Sequence, residues 1–488
     1  MRHLHGLAII FTLAAIPTAI LCASPSEEDS TSTISNHEAA YTELARLNDG
    51  KHDATKIIQR MVALGGEVRL PAGIYRLTKP IIAELNKTGP LSISGSGTAR
   101  LVMESPGPAL KFIGTHQGSA DPPQVKPEVW QRQRMPLIDG LEILGAHPEA
   151  VGIEATGTMQ LTVTRLTVRD ALHGIHLTKR NRNVIISDCH IYHNRGVGIY
   201  MDSVNLHQIN VNGCHVSYNG GGGVVVRDSG VCNLQISGCD IEANMAPDGP
   251  ATANVLIDTV NGPQASAEIA IVGCTLQHRH GCPQSANIRF RGTDLEKRVS
   301  EDRIWGNLTI GDNVISDSEI NIDIRNARGV SIVGNTLWRG YQYDLRIEES
   351  SNIVIGPNLF DRNPRYYWGG EPERNGLLLR NCRDMTLTGL HLNDVRQQDA
   401  GLIIEACRRV NLSGCTILNC DNGGLLLKDC VSSRVSDCLI FNDKPDAKSW
   451  KSLVVTGGQN NMIVDNLMGV PPQIDPKAVH TGGNVSRP

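Results

Sequence analysis

The chain has 488 residues, a formal net charge of −4 at neutral pH and only 4% aromatic residues. The near-neutral charge gives no reason to expect nucleic acid or a membrane surface as a partner. The length exceeds what a single compact core usually allows, and 49 glycines are present. A fold that grows by repetition accommodates both observations.

Residues 1–23 have the pattern of a secretory signal peptide. Arg2 precedes an apolar run over residues 7–21, which is typical of such peptides. A membrane anchor is the alternative, but the run is short for a span and contains Pro17. Residues 24–42 are rich in serine, threonine and acidic residues and are expected to form a disordered linker. The sequence therefore predicts a secreted or periplasmic protein.

A short amphipathic helix is predicted before the first strand of the repeating region. Asp53 stands where an N-cap belongs, and Gly65-Gly66 ends the apolar periodicity. A strand is predicted to start at Glu67. A helix in this place would cover the open first edge of a repeating structure, which needs a cap.

The remaining chain repeats one strand-forming phrase. A clear copy is Asn321-Ile322-Asp323-Ile324-Arg325, in which apolar and polar residues alternate as in a half-buried strand. Its first apolar position returns every 22 to 34 residues, at Ile153, Ile175, Ile199, Val224, Val255, Ile288, Ile322, Leu345, Leu377, Leu402, Leu425 and Leu453. With two or three short strands in each repeat, this period predicts an all-β fold, a right-handed parallel β-helix of about 12 or more coils. We expect one domain over residues 43–470 and a C-terminal tail over residues 471–488.

Cysteines recur at equivalent places in the repeats. One phrase carries Cys189, Cys214, Cys239, Cys274, Cys415 and Cys438, and another ends in Cys382, Cys407 and Cys430. Export would permit disulfides, but neighbouring coils lie ~4.8 Å apart, wider than the ~3.8 Å between the Cβ atoms of a disulfide. Stacked, buried free thiols are therefore predicted.

The segment from Asp53 to Tyr75, read as D-x-T … GG-x-V-x-L-P-x-G-x-Y, resembles the N-terminal part of the pectin-lyase-like superfamily. With the repeats behind it, the resemblance covers most of residues 43–470 and implies the β-helix fold. It does not imply one reaction, because the superfamily includes lyases, hydrolases, epimerases, esterases and non-catalytic adhesins.

The motifs of individual branches of the superfamily are incomplete in this chain. Asn321-Ile322-Asp323 matches the first element of the polygalacturonase-type hydrolases, but no Asp-Asp and no Arg-x-Lys follows it. The pectate-lyase type holds calcium with clustered aspartates, whereas Asp202 and Asp258 lie two coils apart with Arg227 between them. No cofactor and no metal site is evident; calcium stays open as an alternative, without a ligand cluster that supports it.

Outward residues of the repeated strand stack into two columns, because alternate side chains point to opposite faces. The first column consists of Glu154, His176, Tyr200, Val225, Leu256, Arg289, Asp323, Arg346, Leu378, Ile403, Leu426 and Val454. The second consists of Thr156, Thr178, Asp202, Arg227, Asp258, Arg291, Arg325, Glu348, Arg380, Glu405, Lys428 and Thr456. The arginines of the central coils lack local acidic partners in this reading and predict a cationic field.

Long insertions precede the central strands and carry many of the few aromatic residues. They cover residues 244–252, 278–285, 338–343 and 361–375. Aromatic rims beside a charged floor suit sugar rings, although these aromatics could instead pack the loops onto the helix body. Twelve coils would give a groove of ~55 Å, which suits a polymer.

The predicted function is binding and cleavage of an anionic polysaccharide, uronate or sulfated, by a secreted monomer. A lyase is favoured over a glycoside hydrolase, and a non-catalytic β-helix adhesin or cell-surface structural protein is the alternative. The candidate catalytic residues are Asp323, Arg289, Arg346, His176 and Tyr200. The candidate substrate-binding residues are Arg291, Arg325, Arg380, Asp258, Glu348, Trp338, Tyr341, Tyr343, Trp368 and His280.

These candidates have separate roles in the two reactions. In a lyase, Arg289 or Arg346 would neutralise the uronate carboxylate, and His176, Tyr200 or Asp323 would serve as base and acid. In a hydrolase, Asp323 would pair with Asp258 or Glu348, because that reaction needs two carboxyl groups.

Overall fold

The computed structural model describes residues 39–117, 121–261, 266–282, 284–293, 304–367, 373–444, 449–475 and 479–486. These residues contain 42 strands joined in one continuous sheet, with parallel pairing from coil to coil. The sheet winds into a right-handed parallel β-helix, the handedness favoured when successive parallel strands are connected. The predicted fold class is confirmed.

Each coil contributes to three faces of the helix. The first face contains Ile81–Glu84, Gly107–Ile113, Ala150–Met159, Gly222–Arg227, Ala253–Asp258, Ala286–Arg291, Gly376–Arg380, Leu402–Glu405, Gly423–Lys428, Lys451–Thr456 and Gln473–Ile474. The second contains Gly66–Arg69, Thr162–Thr164, Gly230–Ser237, Ala267–Val272, Gly306–Gly311, Arg328–Val333, Ser351–Ile355, Arg383–Thr388, Arg408–Ser413, Arg434–Ser436, Asn461–Val464 and Val479–Gly482.

The third face and the corners complete the coils. The third face contains Asp49–Asp53, Gly73–Leu77, Thr167–Arg169, His190–Tyr192, His215–Ser217, Asp240–Glu242, Thr275–Gln277, Leu359–Asp361, His391–Asn393, Thr416–Leu418, Leu439–Phe441, Leu467–Met468 and Val485–Ser486. Six longer strands turn a corner and serve two faces: Leu91–Met103, Leu137–Gly145, Ile175–Ser187, Val197–Asn212, Val314–Arg325 and Thr336–Glu348.

The N-terminal end of the helix is capped by α1, Thr55–Leu64. Its apolar side is buried, and the amide of Gln59 accepts from the backbone N–H of Ile82 (2.7 Å) and donates to its carbonyl (2.9 Å). Gln59 thereby satisfies backbone groups at the exposed edge of the first rung. The N-cap is Ala54 rather than Asp53; the Asp53 carboxylate accepts from the backbone N–H of Thr55 instead (2.9 Å).

The other helices are short. They are α2 (Leu85–Thr88), the 3₁₀ turns Pro122–Gln124 and Pro364–Tyr366, and the π turn Val129–Gln133. Residues 39–44 are also helical and bury Ala40, so the end of the predicted linker is ordered. The predicted signal peptide lies outside the described residues. No helix in the described ranges is both long and apolar enough to cross a membrane.

The strand register agrees with the stacking predicted from the repeats. Ile322 lies opposite Ile288 on one side and Leu345 on the other, and Asp323 lies opposite Arg289 and Arg346. The inward residues Phe290, Ile324 and Ile347 are fully buried.

Cysteine and asparagine side chains stack inside the corners. Every described cysteine is a free thiol, and all except the half-buried Cys232 are buried, as predicted. A buried amide ladder also runs through Asn194, Asn219, Asn244, Asn254, Asn287, Asn321 and Asp344. Each Nδ2 donates to the Oδ1 of the next member, over 2.7–2.8 Å. The ladder ties six successive coils to their neighbours.

Candidate functional site

The first column of the first face is interrupted. Ile82, Lys111, Glu154, His176 and Tyr200 are partly or fully accessible, and we call these residues the N-terminal groove. The next four rungs carry Val225, Leu256, Arg289 and Asp323, which are buried and form what we call the covered stretch. The predicted continuous groove of ~55 Å is therefore wrong.

Asp323 is the centre of a buried ion-pair cluster. Its Oδ2 accepts from Arg289 Nε (2.7 Å), its Oδ1 accepts from Arg346 Nε (2.9 Å), and Arg291 Nη2 lies 3.9 Å from Oδ2. Asp323 is 5% exposed and Arg289 is 2% exposed. Asp323 and Arg289 therefore lie inside the protein, while Arg346 and Arg291 are partly exposed at its surface.

Electrostatics keep this cluster ionised. Burial raises the pKa of Asp323, but hydrogen bonds and charges from Arg346 and Arg289 outweigh burial and hold that pKa below its usual value. Burial also lowers the pKa of Arg289, yet an arginine keeps its proton in proteins. The predicted direction for Asp323 is therefore confirmed, within an ion pair.

The other arginines of the predicted cationic field are also paired. Arg325 contacts Glu349 (3.1 Å), while Arg380 contacts Glu348 (3.2 Å) and Glu405 (2.8 Å). The charges alternate along the coil axis, and Lys428 continues them by contacting Glu405 at 2.8 Å. The prediction of an unbalanced cationic field is therefore wrong, because acids on adjacent coils neutralise the arginines.

The structure does not bring Asp258 into a carboxylate pair with Asp323. It lies opposite Arg227 and Arg291, and its carboxylate accepts from the backbone N–H of Val260 (3.3 Å). Since Asp323 is buried between arginines, neither Asp258 nor Glu348 forms an open acid–base pair with it.

The described rim aromatics contact one another and the loops. Tyr341 stacks on His280 with ring centroids 4.0 Å apart and planes 8° apart, and Trp338 lies 5.7 Å from Tyr366. Tyr343 contacts the Arg346 guanidinium at 5.8 Å. Trp368 lies outside the described residues. The alternative interpretation, loop packing, accounts for these contacts.

A buried charge network anchors the same loops. Glu373 is 1% exposed and accepts from Arg339 at 2.9 Å. Arg362 lies 3.6 Å from Glu373, and its guanidinium lies 3.7 Å from the centroid of the Tyr367 ring. These contacts fix the loops beside the central coils.

His176 and Tyr200 form a second group, in the N-terminal groove. Their rings stack with centroids 5.2 Å apart and planes 9° apart, and His173 contacts both rings at 5.3 and 5.1 Å. His176 Nε2 lies 3.1 Å from Asp202 Oδ2. Arg227 follows Asp202 in the second column, and its charge acts to lower the pKa of Tyr200. We call these five residues the His–Tyr cluster.

The environment sets the protonation of the cluster. Burial lowers the pKa of His173 to about 4, so His173 stays neutral, and its Nδ1 accepts from the Val197 backbone N–H (3.0 Å). Burial and the nearby Asp202 raise the pKa of Tyr200. Tyr200 therefore keeps its phenolic proton near neutral pH and is suited to donate it.

Arg227 differs from the central arginines. Within the part of the chain that the structure describes, it forms no ion pair with a carboxylate, whereas Arg289, Arg325, Arg346 and Arg380 all do. Asp202 and Asp258 lie opposite Arg227 on the two adjacent rungs, but neither forms an ion pair with it in the described residues. A half-buried guanidinium of this kind suits a bound carboxylate.

The five candidate catalytic residues therefore fall into two groups. Five rungs separate His176 from Asp323, which is about 24 Å at the usual strand spacing. Groups at that distance do not act on one bond, so only the accessible pair His176 and Tyr200 remains a candidate catalytic site.

Sequence reasoning missed Asp202 and Arg227 as partners of this pair. Both stand in the second column beside His176 and Tyr200, so the predicted register already brought them together. Across the described ranges, no group of three or more histidine, cysteine, aspartate or glutamate residues is arranged to hold a metal ion.

Two family models match the chain. Residues 131–276 match the family described as "Right handed beta helix region", and residues 285–469 match the family described as "Periplasmic copper-binding protein (NosD)". The search of curated proteins found no match.

Several solved structures are similar to the chain. A mannuronic acid specific polysaccharide family 6 lyase from human gut microbiota is 13% identical, with a TM-score of 0.46 and coverage of 89% of this chain and 90% of that one. PfbA, a surface adhesin of Streptococcus pneumoniae, is 12% identical, with a TM-score of 0.38 and coverage of 86% and 88%.

A viral protein, ORF18 of Geobacillus virus E2, is 12% identical, with a TM-score of 0.33. The match covers 88% of this chain but only 63% of the ORF18 protein, less than two thirds of its length. At these identities the likeness to solved structures concerns the fold alone. The coils, their register and the family match over residues 131–276 confirm the resemblance noted in the sequence. The chain is a right-handed parallel β-helix protein that resembles the pectin-lyase-like superfamily.

Proposed function

We propose that the protein is an exported carbohydrate-active enzyme that binds a uronate polysaccharide in the N-terminal groove and cleaves it by β-elimination. The observation that carries this proposal is the His–Tyr cluster, in which an acid–base pair lies beside an arginine that forms no ion pair among the residues the structure describes. Export is supported by the signal-peptide pattern of residues 1–23 and by the periplasmic family matched over residues 285–469.

Four members of the cluster have a role in an elimination. The Arg227 guanidinium neutralises the uronate carboxylate, which makes the C5 proton more acidic. His176 donates Nε2–H to Asp202, so that Nδ1 keeps a lone pair and accepts the C5 proton. Tyr200 donates its phenolic proton to the departing glycosidic oxygen. The C4–O4 bond breaks, and a C4=C5 double bond forms.

The same geometry favours elimination over hydrolysis. A glycoside hydrolase needs two carboxyl groups that flank the scissile bond. In the N-terminal groove, Glu154 is paired with Lys111 (2.8 Å) and Asp202 is engaged by His176. A histidine, a phenol and a guanidinium that has no ion pair in the described part of the chain match the needs of a lyase more closely.

A panel of polysaccharides tests the proposal. The purified protein is incubated with alginate, pectate and a sulfated glycan, while ultraviolet absorbance and new reducing ends are recorded together. We expect both signals on a uronate polymer. Tyr200→Phe should lower the rate by about 10²–10⁴-fold, the usual contribution of a positioned general acid. Tyr218→Phe is the matched control, because Tyr218 is exposed on the third face and donates to Glu242 (3.2 Å).

The outcomes separate the candidate functions. Reducing ends without absorbance would identify a hydrolase, and equal rates in Tyr200→Phe and the parent would exclude Tyr200. Binding without cleavage across the panel would support the adhesin alternative.

A further inference from the structure

The N-terminal groove is closed on the C-terminal side of Tyr200. The next two rungs of the first column carry Val225 and Leu256, which are 0% and 3% exposed. Both belong to an apolar cluster with Val197 and Ala253, against which the Tyr200 ring packs. We call this cluster the wall of the groove.

The groove is open in the other direction. From Tyr200 the accessible residues continue through His176, Glu154 and Lys111 to Ile82, which is 39% exposed. Four rung spacings give this floor a length of about 19 Å. A saccharide bound at the His–Tyr cluster can therefore extend over several rungs toward the N-terminal cap but not over the wall.

We infer that the protein acts at the end of a uronate chain and releases short products, rather than cutting within the chain. This inference rests on the proposed function. Cleavage inside a polymer requires the chain to continue on both sides of the reacting bond, and the wall leaves room on one side only. The preferred substrate is therefore a chain terminus, and a short oligouronide is as good a substrate as the polymer.

The test compares bond cleavage with chain length. A uronate polymer is incubated with the protein while absorbance counts the bonds cleaved, viscosity reports the chain length, and chromatography sizes the products. We expect short products from the first time points and a loss of viscosity that lags well behind the absorbance. We also expect equal initial rates of bond cleavage for a short oligouronide and for the polymer when both are supplied at the same concentration of chain ends.

Two variants test the wall itself. Leu256→Ala removes apolar side-chain atoms from the wall, two rungs from Tyr200. Leu378→Ala removes the same atoms from an equally buried leucine of the same column, six rungs from Tyr200. Both substitutions shorten a buried leucine to alanine, so we expect similar losses in the free energy of unfolding. We expect longer products from Leu256→Ala and unchanged products from Leu378→Ala. If Leu256→Ala does not fold, the products of the parent decide the question.

The outcomes distinguish this inference from the proposed function. Mid-sized products with an immediate fall in viscosity would overturn chain-end action while leaving the lyase proposal standing, and so would unchanged products from a folded Leu256→Ala. Absence of new double bonds on every uronate substrate would overturn the proposed function itself.

Discussion

At the scale of single residues, Asp323 shows how a charged residue in a central strand serves stability. Asp323→Asn would leave the buried Arg289 and the half-buried Arg346 without their shared counter-charge. Breaking such a buried pair costs about 3–5 kcal/mol, so we expect the free energy of unfolding to fall by that amount in denaturant titrations. Normal stability with lost activity would contradict this and restore a catalytic role.

The matched control for Asp323 lies on the exposed charge ladder. Glu405 contacts Arg380 and Lys428, both at 2.8 Å, and these two partners are 43% and 50% exposed in their side chains. Exposed pairs of this kind contribute about 0–1 kcal/mol. Glu405→Gln should therefore change the free energy of unfolding far less than Asp323→Asn.

Asp344, at the end of the amide ladder, makes stability depend on pH. It is fully buried, and burial raises its pKa to about 7, against hydrogen bonds from Asn321 and Gly340 that lower it. The unfolded carboxyl has a pKa of about 3.9. Between these two pKa values only the folded state holds the proton. The free energy of unfolding therefore falls as pH rises from about 4 to about 7, by on the order of 1 kcal/mol per pH unit.

Asp344→Asn removes the ionisable group and keeps the Oδ1 acceptor. We expect this variant to lose the contribution of Asp344 to the pH dependence and to be more stable than the parent at pH 8, as measured by denaturant midpoints. Asp437→Asn, at an exposed corner, is the control and should follow the parent. A parent whose stability rises from pH 5 to pH 7 by the same amount as that of Asp344→Asn would refute this assignment.

At the scale of one strand, the register makes a sharp distinction between inward and outward positions. Ile324 is fully buried, whereas Thr309 points outward from Gly306–Gly311 on the second face and is exposed. Ile324→Asp buries an unpaired charge, which costs several kcal/mol or forces the coil open. We expect a large fall in the melting temperature for Ile324→Asp and little change for Thr309→Asp. Equal melting temperatures in the two variants would be incompatible with the register.

The strand register could be predicted from the sequence because side-chain direction follows directly from period-two alternation. Whether an outward side chain is then covered could not be predicted, because alternation says nothing about the layers above a sheet. Val225 and Leu256 were a visible signal, since two apolar residues in succession in an outward column indicate contact with another part of the protein. The ladder residues Asn287, Asn321 and Asp344 were visible as a polar residue before each inward apolar one, but their hydrogen bonds depend on the corner geometry.

At the scale of the whole molecule, the covered stretch divides the first face of the β-helix into two accessible parts of unequal length. Residue type alone placed the functional centre at Asp323, because charged and aromatic residues are concentrated there. The folded chain uses those residues to hold its longest loops, through Glu373 and its arginines. The proposed reaction site lies nearer the N-terminal cap, at His176 and Tyr200, where the sequence is less charged and its candidates are fewer.

The amide ladder gives the β-helix a direction. Every ladder asparagine donates toward the C-terminal end, and its acceptor lies on the following coil, except that Asn244 donates to Asn254 of its own repeat. Until that acceptor is in place, the N–H group has no partner in the ladder. A fragment that stops anywhere within the ladder carries that defect at its last rung. Asp344 has no side-chain N–H to donate, so it is the natural terminus of the series. The donors of the ladder therefore all run in one direction along the helix axis, and the series ends at a carboxyl group.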